Sequence, residues 1–554
     1  MYSLSPAEIK AVKNCMARIA GGRKVSAACV YGSKAAGYAR PQSDVDLLVV
    51  LEDYPFAIKY AYLRDEGVEV SILVVGKKSL AADAQKAALG EFAIGRLLHV
   101  YEPIENAGLL RSIEQTYKKR VILEQLQKIV NSASILATEI QFPLEYIVFA
   151  KIKERIARYP NAVYSYYRTY AKSKSSGQNL QFALRTYRGA LEDVLLENPG
   201  ILSRRDEFLQ ISDAAINVDR GEASLNARVK LQQAVGPYLI HTYAARKVMH
   251  LSLKEAESKI RRQVTDHVEL PTNMQAPKKA YWRLPEGALI TESRDWLQEL
   301  AETKGIEDVR VSYRRRLGNL NSRTVLNVVS HSGGQYRIVV KELARTKSVK
   351  WAALSLWTTP VKRFKVGPMF RLGTEYKANR FVRALGLSAP AIEAVVLDER
   401  LLVTSYIEGK TVADAVKECI KGIDRFQPLR DSGSQIARIH NAGASVGNIK
   451  PKNIIIDAGG RLNFTDLEQF LFRPADQVWD LAQFICWDLK GTGNAAASGR
   501  VAREFLEGYL AESKTAESVA TLAKSKRYIE SFFPVMAPGV ARAIKHEIRL
   551  LASS

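Results

Sequence analysis

Two short strings hold most of the residues in this 554-residue chain whose types and spacing suit chemistry. The first is Val30-Tyr31-Gly32-Ser33, followed after ten residues by Asp44-Val45-Asp46-Leu47-Leu48-Val49-Val50. Side chains alternate across a strand, so Asp44 and Asp46 point to one face, and the apolar run behind them marks the strand as buried. Two carboxylates at the mouth of a buried strand repel each other and are costly unless a divalent cation neutralises them. Hard oxygen ligands suit Mg²⁺, which keeps part of its water shell and shares the rest with substrate phosphates. Gly32-Ser33 falls at a strand-to-helix turn, where the backbone approaches a phosphate closely and a helix N-terminus favours negative charge. On a later strand, Glu69 faces away from Val68, Val70 and Ile72, and would complete a two-metal site that steadies attacking and leaving oxygens. A D-x-D alone is commonly a solvated turn or a cap. The Gly-Ser at this distance and the flanking β-rich runs set this one apart.

This G-S-x10-D-x-D arrangement with a later Glu strand resembles the DNA polymerase beta superfamily of nucleotidyltransferases. Within it the chain looks most like the small archaeal and bacterial members and their aminoglycoside- and tRNA-modifying cousins. The resemblance covers residues 1–105. It implies that Gly32 and Ser33 hold a triphosphate and that Asp44, Asp46 and Glu69 bind two Mg²⁺, with Glu69 or a metal-bound water near the acceptor hydroxyl. Glu69 stands where the family more often has Asp.

The second string is spread over the C-terminal half. Arg337-Ile338-Val339-Val340-Lys341 reads as a strand ending in Lys, and Gly373-Thr374-Glu375-Tyr376-Lys377 opens a helix that would set Glu375 beside Lys341. A helix ending at His440 leads to the loop Val446-Gly447-Asn448-Ile449-Lys450-Pro451-Lys452-Asn453. Phe464-Thr465-Asp466-Leu467-Glu468 follows a Gly459-Gly460 hairpin, and Trp479-Asp480 begins another helix. This order resembles the protein-kinase-like superfamily over residues 305–490, especially the small archaeal kinases that include RIO-type kinases and the kinase subunit of the tRNA threonylcarbamoylation complex. The stretch 350–357, followed by 371–376, looks like an archaeal subgroup. The resemblance implies that Lys341 binds the α/β-phosphates of ATP and pairs with Glu375, and that Asn453 and Asp466 hold Mg²⁺. It also implies that Asp480 braces the loop and that Gly318 and Lys450 serve the nucleotide site. Two positions depart from the pattern. Asn448 stands where the family places a catalytic Asp; a carboxamide accepts a hydrogen bond but takes no proton, and loss of a positioned base costs roughly 10²–10⁴ in rate. The phosphate loop 317–322 has one glycine, Gly318, where active kinases usually have more. A pseudokinase or feeble kinase that still binds ATP and Mg²⁺ is therefore expected.

These strings need elements to place them. β-rich runs at 25–33, 43–51 and 67–75 follow an amphipathic helix within residues 1–22, which lacks the apolar core of a secretion signal. Long 3.6-residue periods fill 106–270, including 114–140 and 180–197, the latter stopped by Asn198-Pro199-Gly200. Pro271, Pro277 and Pro285 mark 271–287 as a linker, and strands at 309–313, 323–330, 336–342 and 400–406 precede further helices. The expected fold class is α+β multidomain: an N-terminal α/β nucleotidyltransferase domain (1–105), a helical middle domain (106–270), the linker, and a bilobal protein-kinase-like domain with C-terminal helices (288–554).

Composition narrows the partners. Hydrophobic residues make up 47% and charged residues 25%, a globular balance. Four scattered cysteines without a C-x-x-C exclude a disulfide framework or Cys-based zinc site and fit a reducing cytoplasm. No apolar run is long enough to span a membrane. The net charge is +23. Residues 1–105 carry 13 basic and 12 acidic side chains, 106–275 carry 25 and 17, and the remainder 43 and 29, so the positive field arises behind the first domain. A polyanion is the expected partner. In 162–174 four tyrosines lie among three cations, which reads either as base-stacking and phosphate contacts or as a helix packing its tyrosines inward. The expected activity is Mg²⁺-dependent transfer of a nucleoside monophosphate from ATP or another NTP to an acceptor hydroxyl on RNA, plausibly tRNA. The alternatives are an ATP-dependent RNA or protein kinase acting through the C-terminal half, and a non-catalytic RNA-binding scaffold.

Overall fold

The computed structural model describes residues 4–219, 222–225, 269–306, 310–317, 323–329, 335–343, 364–365, 367–532 and 536–553. Gly318, with the rest of the loop 318–322, and the stretch 350–357 lie outside the described residues. The chain divides into two compact units. The first holds residues up to 129, 140–217 and 224–282; the second holds 130–139, 218–223 and everything from 283 onward.

In the first unit a five-stranded sheet has the order β3-β4-β2-β1-β5, with β1 Val25–Tyr31, β2 Val45–Leu51, β3 Ile58–Asp65, β4 Val68–Gly76 and β5 Glu102–Glu105. β2 and β4 carry the Val/Leu/Ile runs, β1 smaller apolar residues, and all three central strands are buried along most of their length, as expected of strands covered on both faces. β2 runs parallel to β4, from Val45 opposite Val70 to Leu51 opposite Gly76, and antiparallel to β1, with Tyr31 opposite Asp46. β3 is an edge strand with mixed exposure. The helix Pro6–Ala20 starts with a Ser5/Glu8 capping box and a proline in its first turn, and packs Val12 and Cys15 on the β-sheet core.

The long helices Ala107–Ala133, Leu144–Arg158 and Ser176–Glu197 follow. This part is not wholly helical: Gln141–Pro143, Phe208–Ile211 and Leu202–Arg205 form a small three-stranded sheet. The stretch expected as a linker is structured too. Two short helices, Thr272–Gln275 and Pro277–Tyr281, bury Met274 and Trp282, and the Tyr281 ring stacks on Phe149 at 5.8 Å. Pro277 sits in a first helical turn, where a missing N–H costs nothing, so it starts structure there rather than preventing it.

One buried cluster ties the helices Ala107–Ala133 and Leu144–Arg158 to the turn after the helix Lys77–Lys86. Glu91 is fully buried and accepts from Lys151 at 2.7 Å and Arg120 at 2.8 Å, with Arg155 at 3.8 Å. Burial alone would raise its pKa, but these three cations hold it well below the usual carboxylate range.

The second unit contains a six-stranded sheet in the order Leu289–Thr291, Ile392–Val396, Leu401–Ser405, Gln335–Glu342, Arg323–Val329, Arg310–Leu317, antiparallel except for the first pair. The helix Pro368–Ala384 falls in the chain between the strands Gln335–Glu342 and Ile392–Val396, and a helical body built on Gln427–Asn441, Gln477–Trp487, Ala495–Glu512 and Pro538–Ser553 shares one hydrophobic core. Residues 130–139 belong to this unit. A Cβ on Gly373 would stand 2.6 Å from Leu136 N and Ile135 Cγ2; one and two turns on, Lys377 Nζ donates to Thr138 Oγ1 at 2.8 Å and Arg380 pairs with Glu139.

Candidate functional site

Local geometry in the first unit follows from the two central strands. Neighbouring residues on parallel strands project to the same face, so Asp46, opposite Ser71, shares its face. Ser71 Oγ donates to Asp44 Oδ2 at 2.5 Å. Glu69 is exposed and lies opposite Arg64 on β3. Asp46 and Glu69 thus share a face of two adjacent strands, and Asp44, just before β2, reaches it through Ser71.

Gly32 explains why the turn needs that residue. Its φ is +74°, and a Cβ there would lie 2.2 Å from Asp46 Oδ2. The Asp46 carboxylate therefore rests against the backbone of the Gly32-Ser33 turn, which opens the one-turn helix Gly32–Ala35. Behind it Lys34, almost fully buried, donates to Glu8 Oε1 at 2.7 Å and fastens the turn to the first helix.

A small cleft opens from Gly32 and Asp46 between Tyr31, Phe92, Arg96, His99, Arg155, Tyr159 and Asn161. The Arg96 guanidinium lies over Phe92 at 4.9 Å and Tyr31 at 5.5 Å. Arg155 donates to Tyr166 Oη at 2.6 Å and to the Glu91 carbonyl at 2.7 Å, and His99 stacks on Tyr166 at 4.4 Å. Sequence reasoning missed these cleft residues, since they meet only in the folded chain, Arg96 over Tyr31 and Phe92 and both His99 and Arg155 on Tyr166. Ser71 was findable, two positions after Glu69 on the same face.

In chemical type the donors Asp44, Asp46 and Glu69 fit Mg²⁺: all offer hard carboxylate oxygens on one face. Their oxygens are spaced more widely than in the second unit, where Glu375, Asp466 and Glu468 form the one trio among the described residues with ligand atoms all within 4.8 Å.

That trio surrounds a cation. Lys341 Nζ is 2.5 Å from Glu375 Oε2, 2.6 Å from Asp466 Oδ1 and 3.4 Å from Glu468 Oε2, and the buried Arg371 holds Glu468 at 3.1 Å. Asn448 Nδ2 and Asn453 Nδ2 both lie 3.4 Å from Asp466 Oδ2, while Asn448 Oδ1 is buried and accepts no hydrogen bond. Asp480 accepts from Val446 N at 2.6 Å and Gly447 N at 2.7 Å and meets His440 Nε2 at 3.2 Å. His440 also touches Tyr509 Oη at 2.9 Å, a structural role. The residues named in sequence thus converge, and Glu468 and Arg371 join them unannounced. Lys450 packs against the Trp487 ring at 3.9 Å.

The tyrosine-rich stretch turns mostly inward. Tyr166 and Tyr170 are buried, and Tyr164 stacks under Arg168 at 4.4 Å, so the packing alternative describes this segment. All four cysteines are buried free thiols, and among the described residues no helix is long and apolar enough to cross a membrane.

No curated protein matches the chain. Residues 9–129 match the family model of the nucleotidyltransferase domain, which runs past the sheet into the helix Ala107–Ala133 and supports a nucleotidyltransferase domain at the N-terminal end of the first unit.

Proposed function

We propose that the chain is a Mg²⁺-dependent nucleotidyltransferase that moves a nucleoside monophosphate from an NTP to an acceptor hydroxyl on RNA such as tRNA. The observation that carries this reading is the fit of the Asp46 carboxylate against the Gly32 backbone, with Asp44 fixed by Ser71 on the same face. Asp44, Asp46 and Glu69 would hold Mg²⁺, which when bound neutralises the phosphates and the carboxylates together. The Gly32-Ser33 turn presents backbone N–H groups to the triphosphate. Arg96 and Arg155 line the adjoining cleft with positive charge for the nucleotide or the acceptor. Glu69, exposed on the same face, accepts the proton of the acceptor hydroxyl as its oxygen bonds to the α-phosphorus and pyrophosphate leaves. RNA is the acceptor favoured by the +23 net charge, most of it behind residue 105.

Incubation with total RNA and α-labelled ATP, or another α-labelled NTP, tests this. Label should enter RNA, and Asp44→Ala with Asp46→Ala should lower incorporation by roughly 10³ or more, the loss of several kcal/mol of metal-borne stabilisation. Unchanged incorporation would remove the reading. A second reading, phosphotransfer through the C-terminal half, is favoured by the Lys341–Glu375 pair and the Asp480-braced loop; it puts γ-label rather than α-label on the acceptor.

A further inference from the structure

The row of side chains that contains Asp46 does not stop at β4. Tyr31 on β1 lies opposite Asp46, Asp46 opposite Ser71, and Ser71 opposite Tyr62 on β3. Cross-strand neighbours point to one face, so these four side chains form a line across four strands, each about 4.8 Å from the next. Along the same face of β3, Arg64 stands opposite Glu69, and Tyr60 follows Tyr62 on its other side. The Tyr62 ring is 52% exposed on this edge strand and lies against Tyr60 with centroids 5.1 Å apart. Ser71, across from it, is small and gives its hydroxyl to Asp44. The core beneath the helix Pro6–Ala20 takes Leu63 from β3, on the opposite face, so it does not account for the Tyr62 ring.

Strand order gives this line two ends. At the β1 end the Asp46 carboxylate meets the Gly32-Ser33 turn and the Arg96 cleft, the side that suits a triphosphate. At the β3 end, past Glu69, stand the two tyrosines and the exposed Arg64. We propose that Tyr62, backed by Tyr60, is the platform on which the terminal base of the acceptor stacks, the acceptor being the 3′ end of a single-stranded RNA that enters over β3. Glu69 and Tyr62 are diagonal neighbours on adjacent strands, about 7–8 Å apart. One nucleotide spans that separation between its sugar hydroxyl and its base. An exposed aromatic ring beside a cation stacks a base and steadies a phosphate without preference for sequence. The assignment rests on the nucleotidyl-transfer reading for what the platform serves, while stacking itself is read by binding without transfer.

The full chain is titrated, without NTP, with a short 5′-fluorescein oligoadenylate and with the same oligomer lacking its 3′-terminal base. The parent should bind the abasic oligomer about tenfold more weakly. Tyr62→Thr removes the ring at an exposed position and keeps a strand-favouring residue. It should bind the intact oligomer about tenfold more weakly and no longer distinguish the two, because both changes remove one contact. Tyr62→Phe keeps the ring and should match the parent, as should Phe56→Ala, at an exposed aromatic before β3. An unchanged thermal melt shows that Tyr62→Thr is folded; if it shifts, Tyr62→Leu, apolar but not flat, is read in its place with the same expectation. Equal affinity of the parent for both oligomers, no measurable binding of either, additive losses, or an equal loss in Phe56→Ala overturns the proposal. In α-label transfer to RNA, Tyr62→Thr should raise KM for RNA by a similar factor and leave KM for the NTP unchanged. A rise in KM for the NTP alone would put the ring under the donor base and overturn the acceptor assignment. Stacking intact with no α-label transfer would overturn the nucleotidyl-transfer reading and support the base platform.

Discussion

The two acidic clusters of this chain differ in what already lies among their oxygens. In the second unit, Glu375, Asp466 and Glu468 close around Lys341, with Arg371 behind them; the charges are compensated from within. In the first unit, Asp44 leans on a hydroxyl and Asp46 on a glycine backbone, and the cluster opens onto a cleft. Tight grouping of carboxylates is therefore a poor sign of readiness for a metal when a resident ammonium holds the group together. A wider set with no cation among its oxygens, beside the Gly32-Ser33 turn, leaves its charge to be met from outside.

Substitutions can break or sharpen that contrast. The largest expected change is at Asn448. Replacing it with Asp supplies the missing proton acceptor beside Asp466 and should raise γ-phosphate transfer by as much as roughly 10²–10⁴ in Mg²⁺; a flat γ-label signal would show that the second cluster is not limited by its base. Next is Glu468→Gln. It leaves the buried Arg371 guanidinium without its carboxylate and should destabilise the second unit by about 3 kcal/mol, read as a lower urea midpoint. In the first unit, Gly32→Ala should push Asp46 aside and reduce NMP transfer by about 10²-fold while the far-ultraviolet spectrum is kept.

The smallest effect concerns Glu8. Burial would raise its pKa, but hydrogen bonds from Lys34 and Ser5 outweigh it and lower it below its usual 4.5. A depressed folded-state pKa stabilises above the ordinary value, and the gain is lost as pH falls through the folded one. Glu8→Gln should therefore cost roughly 1 kcal/mol near neutral pH and progressively less below about pH 4, in paired melts. An equal difference at every pH would show that the Lys34 contact contributes nothing.

Much of the first site was legible because it is local. Alternation alone places Asp44 and Asp46 on one face, and Gly32 precedes Ser33 at a strand end. The central strands were legible too, as continuous apolar runs. The edge strand Ile58–Asp65 escaped because its polar, half-exposed residues lack that signature. The helix expected over 114–140 begins at Ala107 and ends at Ala133, since Ser134 takes a left-handed φ of +53° that no local pattern announces. Arg96, His99 and Arg155 could not be read as one cleft, because they meet through contacts across more than fifty positions, His99 on Tyr166 and Arg155 on the Glu91 carbonyl. In the second unit the spacing of Lys341, Glu375, Asn453 and Asp466 brought those four together as expected. Glu468 carried no signal beyond its nearness to Asp466.

Residues 130–139 give the chain a property of another kind. They pack the Gly373 face of the helix bearing Glu375, yet nearly 150 positions separate them from the main part of that unit, which begins at 283. No single cut can excise the C-terminal half intact: a fragment starting at 283 leaves its wedge behind, with bare surface where Leu136 and Glu139 had been. Ribosomal synthesis must likewise release the wedge long before its seat exists.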